Sequence, residues 1–166
     1  MESVQEYTAR LLSYVEGKDP VSILTETPER LTALEHSVPK DKLTSRPAPD
    51  KWSVLEIVAH LAEAEIALSW RYRQILENDG AQLPGYDQDV WSTLGQYPHW
   101  QIEDALQEFR LLRQANLNLF TRLTKDQWQR HGVHLERGRM TLREMVRQAA
   151  GHDRNHLQQI ERILNG

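Results

Sequence analysis

Apolar residues recur every three to four positions along most of this chain, which is the spacing of helices with one buried face. A Ser-x-x-Glu capping box at Ser3 opens the first helix, which is predicted to run to about Val15. Asp19-Pro20 and Thr27-Pro28 are each typical of a helix start, and the helical pattern continues to about His36. The N-terminal part is therefore predicted to be a broken helix.

Two longer helices flank a segment that lacks helical periodicity. A second capping box, Ser53 to Glu56, opens a helix to about Glu77, and another helix is predicted from Gln101 to Leu123. The segment between them, about 23 residues long, is rich in Gly, Pro, Tyr and Trp. A connection of this length allows the two helices to run parallel, whereas an antiparallel pair needs only a short turn.

The C-terminal part contains a short helix, a loop and a last long helix. Thr124 caps the short helix, residues 131–139 are predicted to form the loop, and a capping box at Thr141 opens the helix that continues to about Leu164. No segment shows the period-two alternation of a strand, so no strand is predicted. The sequence thus predicts one all-α domain over residues 1–166, a four-helix bundle with a long crossover between its second and third helices.

Composition excludes several classes of function. The formal net charge is -4 and the basic residues are scattered, so the chain has no electrostatic footprint for nucleic acid. No apolar run is long enough to cross a membrane, and the polar N-terminus does not resemble a signal peptide, which predicts a cytoplasmic location. The absence of cysteine excludes disulfides, thiolate ligands and a cysteine nucleophile. Any thiol chemistry would need a thiol supplied from outside.

Three histidines occupy positions where a helix should bury apolar residues. His152 and His156 lie four residues apart in the core-facing seam of the last helix. His60 lies in the seam of the second long helix, whose members are Ile57, His60, Ala64, Ala67, Arg71 and Ile75. Burying an imidazole without a partner costs about a few kcal/mol, and one divalent cation can satisfy all three rings. The pattern predicts a mononuclear metal site with at least one position open to water or substrate.

An alternative stays open for these histidines. A single histidine on an apolar face is usually a core residue that is hydrogen-bonded to a carbonyl or carboxylate. Glu56, one turn before His60, and Asp153, beside His152, are candidates to orient metal-binding rings, although Glu56 also fits the capping box. The other four histidines lie in or beside loops and are predicted to be surface residues: His36, His99, His131 and His134.

Polar and aromatic residues elsewhere are candidates for the substrate pocket. Tyr86, Asp87 and Asp89, together with Trp91, lie in the crossover and could fold over the metal site as a lid. Arg113 and Asn116 are close to one turn apart on the third long helix. They either reach the pocket or belong to a solvated face, and the solvated face is the simpler interpretation.

Several motifs resemble the DinB/YfiT-like superfamily of four-helix metalloproteins over nearly the whole chain. The motifs are Lys51-Trp-Ser-Val-Leu-Glu56 leading to His60-Leu61, Gly85-Tyr-Asp-Gln-Asp89, Arg113-Gln-Ala-Asn116, His134-Leu-Glu-Arg-Gly138, and Gly151-His-Asp-Arg-Asn-His-Leu157 with Gln159-Ile160. The resemblance implies an up-down-down-up bundle, frequent homodimers, and one divalent metal, commonly zinc or nickel, on His60, His152 and His156. All three matching positions hold histidine here.

The resemblance also implies chemistry, because characterised relatives include bacillithiol S-transferases and mycothiol-dependent maleylpyruvate isomerase. The first hypothesis is an S-transferase in which the metal activates a low-molecular-weight thiol cosubstrate for attack on a small-molecule electrophile. The second is a hydrolase that uses metal-bound hydroxide, with Glu56 or Asp153 as base. The third is a non-catalytic stress-response protein in which the metal only links the helices.

Overall fold

A computed structural model describes residues 2–166 of the chain. The helices are α1 (Val4–Ser13), α2 (Pro20–Ser37), α3 (Lys40–Thr44), α4 (Val54–Glu77), α5 (Gln88–Leu94), α6 (Ile102–Phe120), α7 (Lys125–Gln129) and α8 (Leu142–Asn165), with a 3₁₀ turn at Tyr97–His99. The strands are β1 (Ala81–Leu83), β2 (His131–His134) and β3 (Gly138–Thr141). The predicted all-α bundle is confirmed, and it is formed by α2, α4, α6 and α8.

The order of contacts along the helices shows how the bundle is threaded. Glu65 of α4 contacts Arg113 of α6, and Ser69, one turn later, contacts Asn116, so α4 and α6 run parallel. Helix α2 packs against both α6 and α8, and α8 also packs against α4. The bundle therefore has the up-down-down-up topology, with the long crossover joining its two parallel central helices. Among residues 2–166, no helix is both long enough and apolar enough to span a membrane.

Capping explains why the helices begin where they do. All four predicted capping boxes form, and the caps are Ser3, Ser53, Thr124 and Thr141. In each box the cap side chain accepts from the third helical N–H, and the Glu or Gln at that position accepts from the cap N–H. The boxes fix the start of α4 and α8, the two helices that carry the three histidines.

The predicted break at Pro28 is wrong, because α2 continues through this residue from Pro20 to Ser37. A proline inside a helix leaves the carbonyl four residues earlier without its usual N–H donor. Here that carbonyl belongs to Leu24, and it accepts a hydrogen bond from Arg113 instead. A tertiary contact thus compensates for the missing helical hydrogen bond.

The prediction that the chain contains no strand is also wrong. Strand β1 pairs in parallel with β2, and β2 pairs antiparallel with β3, with Leu83 opposite His134 and Val133 opposite Arg139. Each strand has only three or four residues, which is too short for alternation to be recognised in the sequence. The predicted loop 131–139 is therefore largely a hairpin that lies against the start of the crossover.

The core consists of two apolar clusters with a polar layer between them. One cluster contains Ile57 of α4 and Phe109 of α6, and the other contains Tyr72 of α4 and Phe120 of α6. Buried polar side chains lie between these positions along the helices; they are Thr27, Glu65, Arg113, Asn116 and Asp153. His152 and His156 belong to the same stretch of α8, so the polar layer contains the candidate site.

Candidate metal centre

The three predicted ligands converge at one point between α4 and α8. Nε2 of His152 lies 3.1 Å from Nε2 of His60 and 3.1 Å from Nε2 of His156. One ligand atom from each ring lies within 4.8 Å of the other two. The structure therefore brings together the residues that the sequence pattern combined.

Local structure places the rings. His152 and His156 share one face of α8 because they are four residues apart, and their ring centroids are 4.4 Å apart. His60 lies in the second turn of α4, and the ring of Trp52 packs against it with a centroid distance of 5.1 Å. Gly151 precedes His152 and lets the backbone of α1 approach α8 at Leu11. The site is thus closed on one side by α1.

Burial keeps all three imidazoles neutral at physiological pH. Burial and the neighbouring His156 lower the pKa of His60 from its usual 6.5 to about 3. Burial lowers the pKa of His156 to about 4, although its hydrogen bond to Gln159 acts in the opposite direction. Burial also lowers the pKa of His152 well below its usual value, and the other two histidines add to this effect. Neutral imidazoles have the free lone pair that a metal ligand needs.

Hydrogen bonding fixes which nitrogen of His156 faces the centre. Oε1 of Gln159 lies 3.0 Å from Nδ1 of His156 and accepts its proton, so Nε2 carries the lone pair. Nδ1 of His60 is buried without a hydrogen-bond partner among the described residues. Nitrogens about 3 Å apart match a cation bound at about 2.0–2.1 Å from each ring. The donor set therefore fits a divalent metal ion.

The two carboxylates that were candidates to orient the rings have other partners. Glu56 accepts from the backbone and hydroxyl of Ser53 and forms an ion pair with Arg46, so it caps α4 as the capping box requires. Asp153 accepts from Nη1 of Arg113 at 2.6 Å and from Nη2 at 3.0 Å. Neither carboxylate is hydrogen-bonded to a histidine nitrogen, so the orienting role predicted for them is not observed.

The solvated face predicted for Arg113 and Asn116 is wrong, because both side chains are buried in the bundle. Arg113 is 2% exposed and Asn116 is 1% exposed. Arg113 binds Glu65 of α4, Asp153 of α8 and the Leu24 carbonyl of α2. Asn116 donates to the other carboxylate oxygen of Glu65 at 2.8 Å. These residues connect the helices and do not line the pocket beside the histidines.

A pocket of about 510 Å³ opens beside the three histidines. Its walls come from α1, α4, the crossover, the β2–β3 hairpin and α8. Its polar lining residues include Tyr7, Arg71, Tyr86, His134, Arg137 and Gln148. A concave pocket of this size with a few polar groups suits a small molecule.

Only part of the predicted lid reaches this pocket. Tyr86 lines it and stacks on Trp91, with ring centroids 4.4 Å apart. Asp87 instead caps α5, where its carboxylate accepts from the backbone N–H groups of Asp89 and Val90. Asp89 is exposed and, like Asp87, is not among the residues that line the pocket. The structure therefore supports a pocket position for Tyr86 alone.

Several pocket residues were not predicted from the sequence, and His134 and Arg71 are two of them. His134 was predicted to lie at the surface, but it is 4% exposed and lines the pocket from β2. The strand that buries it is too short to be recognised in the sequence. Arg71 also lines the pocket, and its position in the otherwise mainly apolar seam of α4 is a signal that could have identified it.

Comparison with known proteins assigns the family. The sequence model of the DinB superfamily matches residues 23–160. This chain belongs to the DinB superfamily. The match includes α4, α6 and most of α8, so the three histidines of this DinB-superfamily protein lie within the matched region.

Relatives agree with that assignment. A protein of Oceanobacillus iheyensis, provisionally named a metal-dependent hydrolase, is 22% identical over 136 residues, which cover 82% of this chain and 78% of that protein. A protein of Halalkalibacterium halodurans with the same provisional name is 26% identical over 141 residues, which cover 85% of this chain and 82% of that protein.

A solved structure shares the fold. YfiT from Bacillus subtilis, described as a probable metal-dependent hydrolase with an unusual four-helix bundle topology, superposes with a TM-score of 0.81. The match covers 88% of this chain and 84% of YfiT at 21% sequence identity. At that identity the comparison shows the fold, and the chemistry has to be argued from the site.

Proposed function

We propose that this DinB-superfamily protein is a metal-dependent enzyme in which His60, His152 and His156 hold one divalent cation, zinc or nickel. The observation that carries the proposal is the convergence of three neutral imidazoles beside a pocket, two of them buried and that of His152 partly buried. Nε2 of His152 lies 3.1 Å from Nε2 of each of the other two rings. The two relatives provisionally named metal-dependent hydrolases, and YfiT, described as a probable one, support a metal-dependent reaction.

The bound cation would supply Lewis-acid activation of a nucleophile, either water or a thiol. The chain itself supplies the remaining requirements. Gln159 holds His156 with Nε2 towards the site, and the apolar side chains of Leu11, Met140 and Met145 keep part of the pocket dry. Because the pocket is open beside His152, a small-molecule substrate can reach the histidines, which favours a catalytic role over a purely structural metal.

The nucleophile that this site favours is the thiol of a low-molecular-weight cosubstrate, which would make the protein an S-transferase. Both carboxylates proposed as general bases are occupied, Glu56 by Arg46 and Asp153 by Arg113. A thiol bound to a divalent cation is deprotonated by the cation itself and needs no such base. The chain contains no cysteine that would compete for the metal.

Hydrolysis is the second candidate, and the names of the relatives favour it. Water bound to such a cation has a pKa of about 7, so a metal-bound hydroxide could also act without a carboxylate base. The homodimer implied by the family resemblance and the cytoplasmic location predicted from the sequence stay predictions.

Element-resolved metal analysis tests the site. We expect about one divalent ion per chain in the wild type, and its loss from His60→Ala and His156→Ala variants that keep their helical content. His99→Ala removes an exposed histidine outside the site and is the matched control, which should keep the ion. A wild type that takes up no metal after reconstitution, or variants that retain it fully, would contradict the proposal.

Thiol dependence separates the two reactions. The metal-loaded protein is incubated with an alkylating electrophile, with and without bacillithiol or cysteine, and separately with a series of esters and amides. Turnover that requires the thiol and disappears in His60→Ala supports the S-transferase. Turnover of the same substrates without any thiol excludes it and favours the hydrolase.

A further inference from the structure

Arg71 is a nearly buried guanidinium without an anionic partner. It lies on α4 in the pocket wall and is 8% exposed. Its Nη2 donates to the carbonyl oxygen of Pro84 at 2.7 Å, and the ring of Tyr86 lies 5.6 Å from its central carbon. Among residues 2–166, no Asp or Glu forms an ion pair with it. Buried charges are normally paired, so this one calls for an explanation.

Arg113 shows how the same protein treats an arginine whose role is structural. Its guanidinium is 2% exposed and binds two carboxylates, Glu65 and Asp153. Arg71 is almost as buried, but it faces a pocket, and neither of the two carboxylates that line this pocket, Glu2 and Glu136, is hydrogen-bonded to it. The difference indicates that the partner of Arg71 comes from outside the chain.

The groups around Arg71 are also suited to an anion. Arg137 lines the same pocket and donates to Oε1 of Gln148 at 3.1 Å, with no ion pair among the described residues. Nδ1 of His134 accepts from the backbone N–H of Glu136, which leaves Nε2–H of the neutral ring as a donor. Glu136 also lines the pocket and its charge reaches Arg71, but its side chain is exposed on the hairpin and forms no ion pair with Arg71.

We propose that Arg71, together with His134 and Arg137, forms a binding site for the carboxylate group of the small-molecule substrate or cosubstrate. The proposal rests on the proposed function, since it assumes that the reacting atom of the same molecule lies at the histidine cluster. The guanidinium fork matches a carboxylate in a bidentate arrangement, and partial burial strengthens such a contact. The site would thus select small acids, or thiols that carry a carboxylate, and orient them in the pocket.

Calorimetric titration of the metal-free protein tests the site without any turnover. The probes are monocarboxylic and dicarboxylic acids from acetate to adipate, their primary amides, and inorganic phosphate, in a buffer free of carboxylates. Removal of the metal by a chelator matters because a carboxylate could otherwise bind the ion directly. We expect at least one of the acids to bind and its amide to bind about tenfold more weakly or not at all.

Variants assign the binding to Arg71. Arg71→Gln should weaken carboxylate binding about tenfold or more, and Arg71→Lys should retain part of it because the charge stays but the fork is lost. Arg147 is the matched control, because it is exposed on α8 next to Gln148 and its side chain forms no hydrogen bond or ion pair with the described residues. The Arg147→Gln variant should bind carboxylates like the wild type.

The stability of the Arg71→Gln variant distinguishes a ligand-binding arginine from one with a structural role. Because Arg71 has no carboxylate partner, Arg71→Gln should be about as stable as the wild type in the absence of ligand. Equal carboxylate binding by wild type and Arg71→Gln, no binding of any acid, or a preference for phosphate would overturn the proposal. These results do not depend on metal content, so a failure of the anion site and a failure of the metal site can be distinguished.

Discussion

Arg113 donates a hydrogen bond of 2.8 Å to the carbonyl oxygen of Leu24, which is available because Pro28, four residues later, has no N–H. The same guanidinium binds Glu65 and Asp153. One side chain on α6 thereby connects α2, α4 and α8. Since Asp153 follows His152 directly, this connection also fixes the segment of α8 that carries the candidate ligands.

Replacing Arg113 should destabilise the protein strongly. Arg113→Met leaves two buried carboxylates without a cation and should lower the free energy of unfolding by about 3–5 kcal/mol. Arg110→Met, on the exposed side of α6, is the matched control and should change it by about 0.5 kcal/mol or less. Urea denaturation measures both. A loss from Arg113→Met as small as that of the control would show that the buried cluster contributes little.

Gln159 should influence metal affinity although its side chain contacts the site only through His156. Gln159→Leu removes the acceptor of the His156 Nδ1 proton and should weaken metal binding about 10–100-fold. Gln158→Leu is the matched control, because Gln158 is the preceding residue with similar partial exposure and no side-chain hydrogen bond among the described residues. Competition with a chromogenic chelator measures the affinities. Equal affinity in both variants would mean that Gln159 does not orient the ring.

Gly151 should not tolerate even a methyl group. A Cβ at this position would lie 2.2 Å from the carbonyl oxygen of Leu11, so Gly151→Ala must displace α1. Alanine favours a helix by about 1 kcal/mol over glycine, but overpacking typically costs about 1–3 kcal/mol, and the backbone contact makes the cost dominate. We expect a net loss of stability in thermal denaturation. Gly85→Ala, whose Cβ would meet its nearest neighbour at 3.9 Å, should be nearly neutral.

Acidification should destabilise the metal-free protein before its carboxylates titrate. The pKa of His60 is about 3 and that of His156 about 4 in the folded protein, below the usual 6.5. The unfolded chain therefore binds protons first as the pH falls, so this stability is fully present above about pH 6.5 and is lost progressively towards the folded pKa values. Each histidine contributes a slope of at most about 1.4 kcal/mol per pH unit.

Urea denaturation between pH 7 and pH 5 in the presence of a chelator measures this slope. His60→Gln and His156→Gln should each reduce it, whereas His99→Gln, at an exposed position, should leave it unchanged. If the slope is the same in all three variants, the buried histidines are not the groups that titrate.

Features that depend on residues close together in the chain could be predicted from the amino-acid sequence. Capping boxes at Ser53 and Thr141 defined where α4 and α8 begin, because a cap needs only residues three positions apart. Apolar periodicity gave the all-α class, and the four-residue spacing of His152 and His156 placed both on one face of α8. The long crossover allowed α4 and α6 to run parallel, as they do in the structure.

Features that depend on contacts between residues far apart in the chain could not be predicted in this way and are seen only in the folded protein. Pro28 stays inside α2 because Arg113, from another helix, satisfies the carbonyl that the proline leaves without a donor. Strand β2 is buried through pairing with residues about fifty positions earlier, and this brings His134 into the pocket. Local periodicity could not distinguish the paired Arg113 from the unpaired Arg71, because the charge next to a buried guanidinium is set by the packing of other helices.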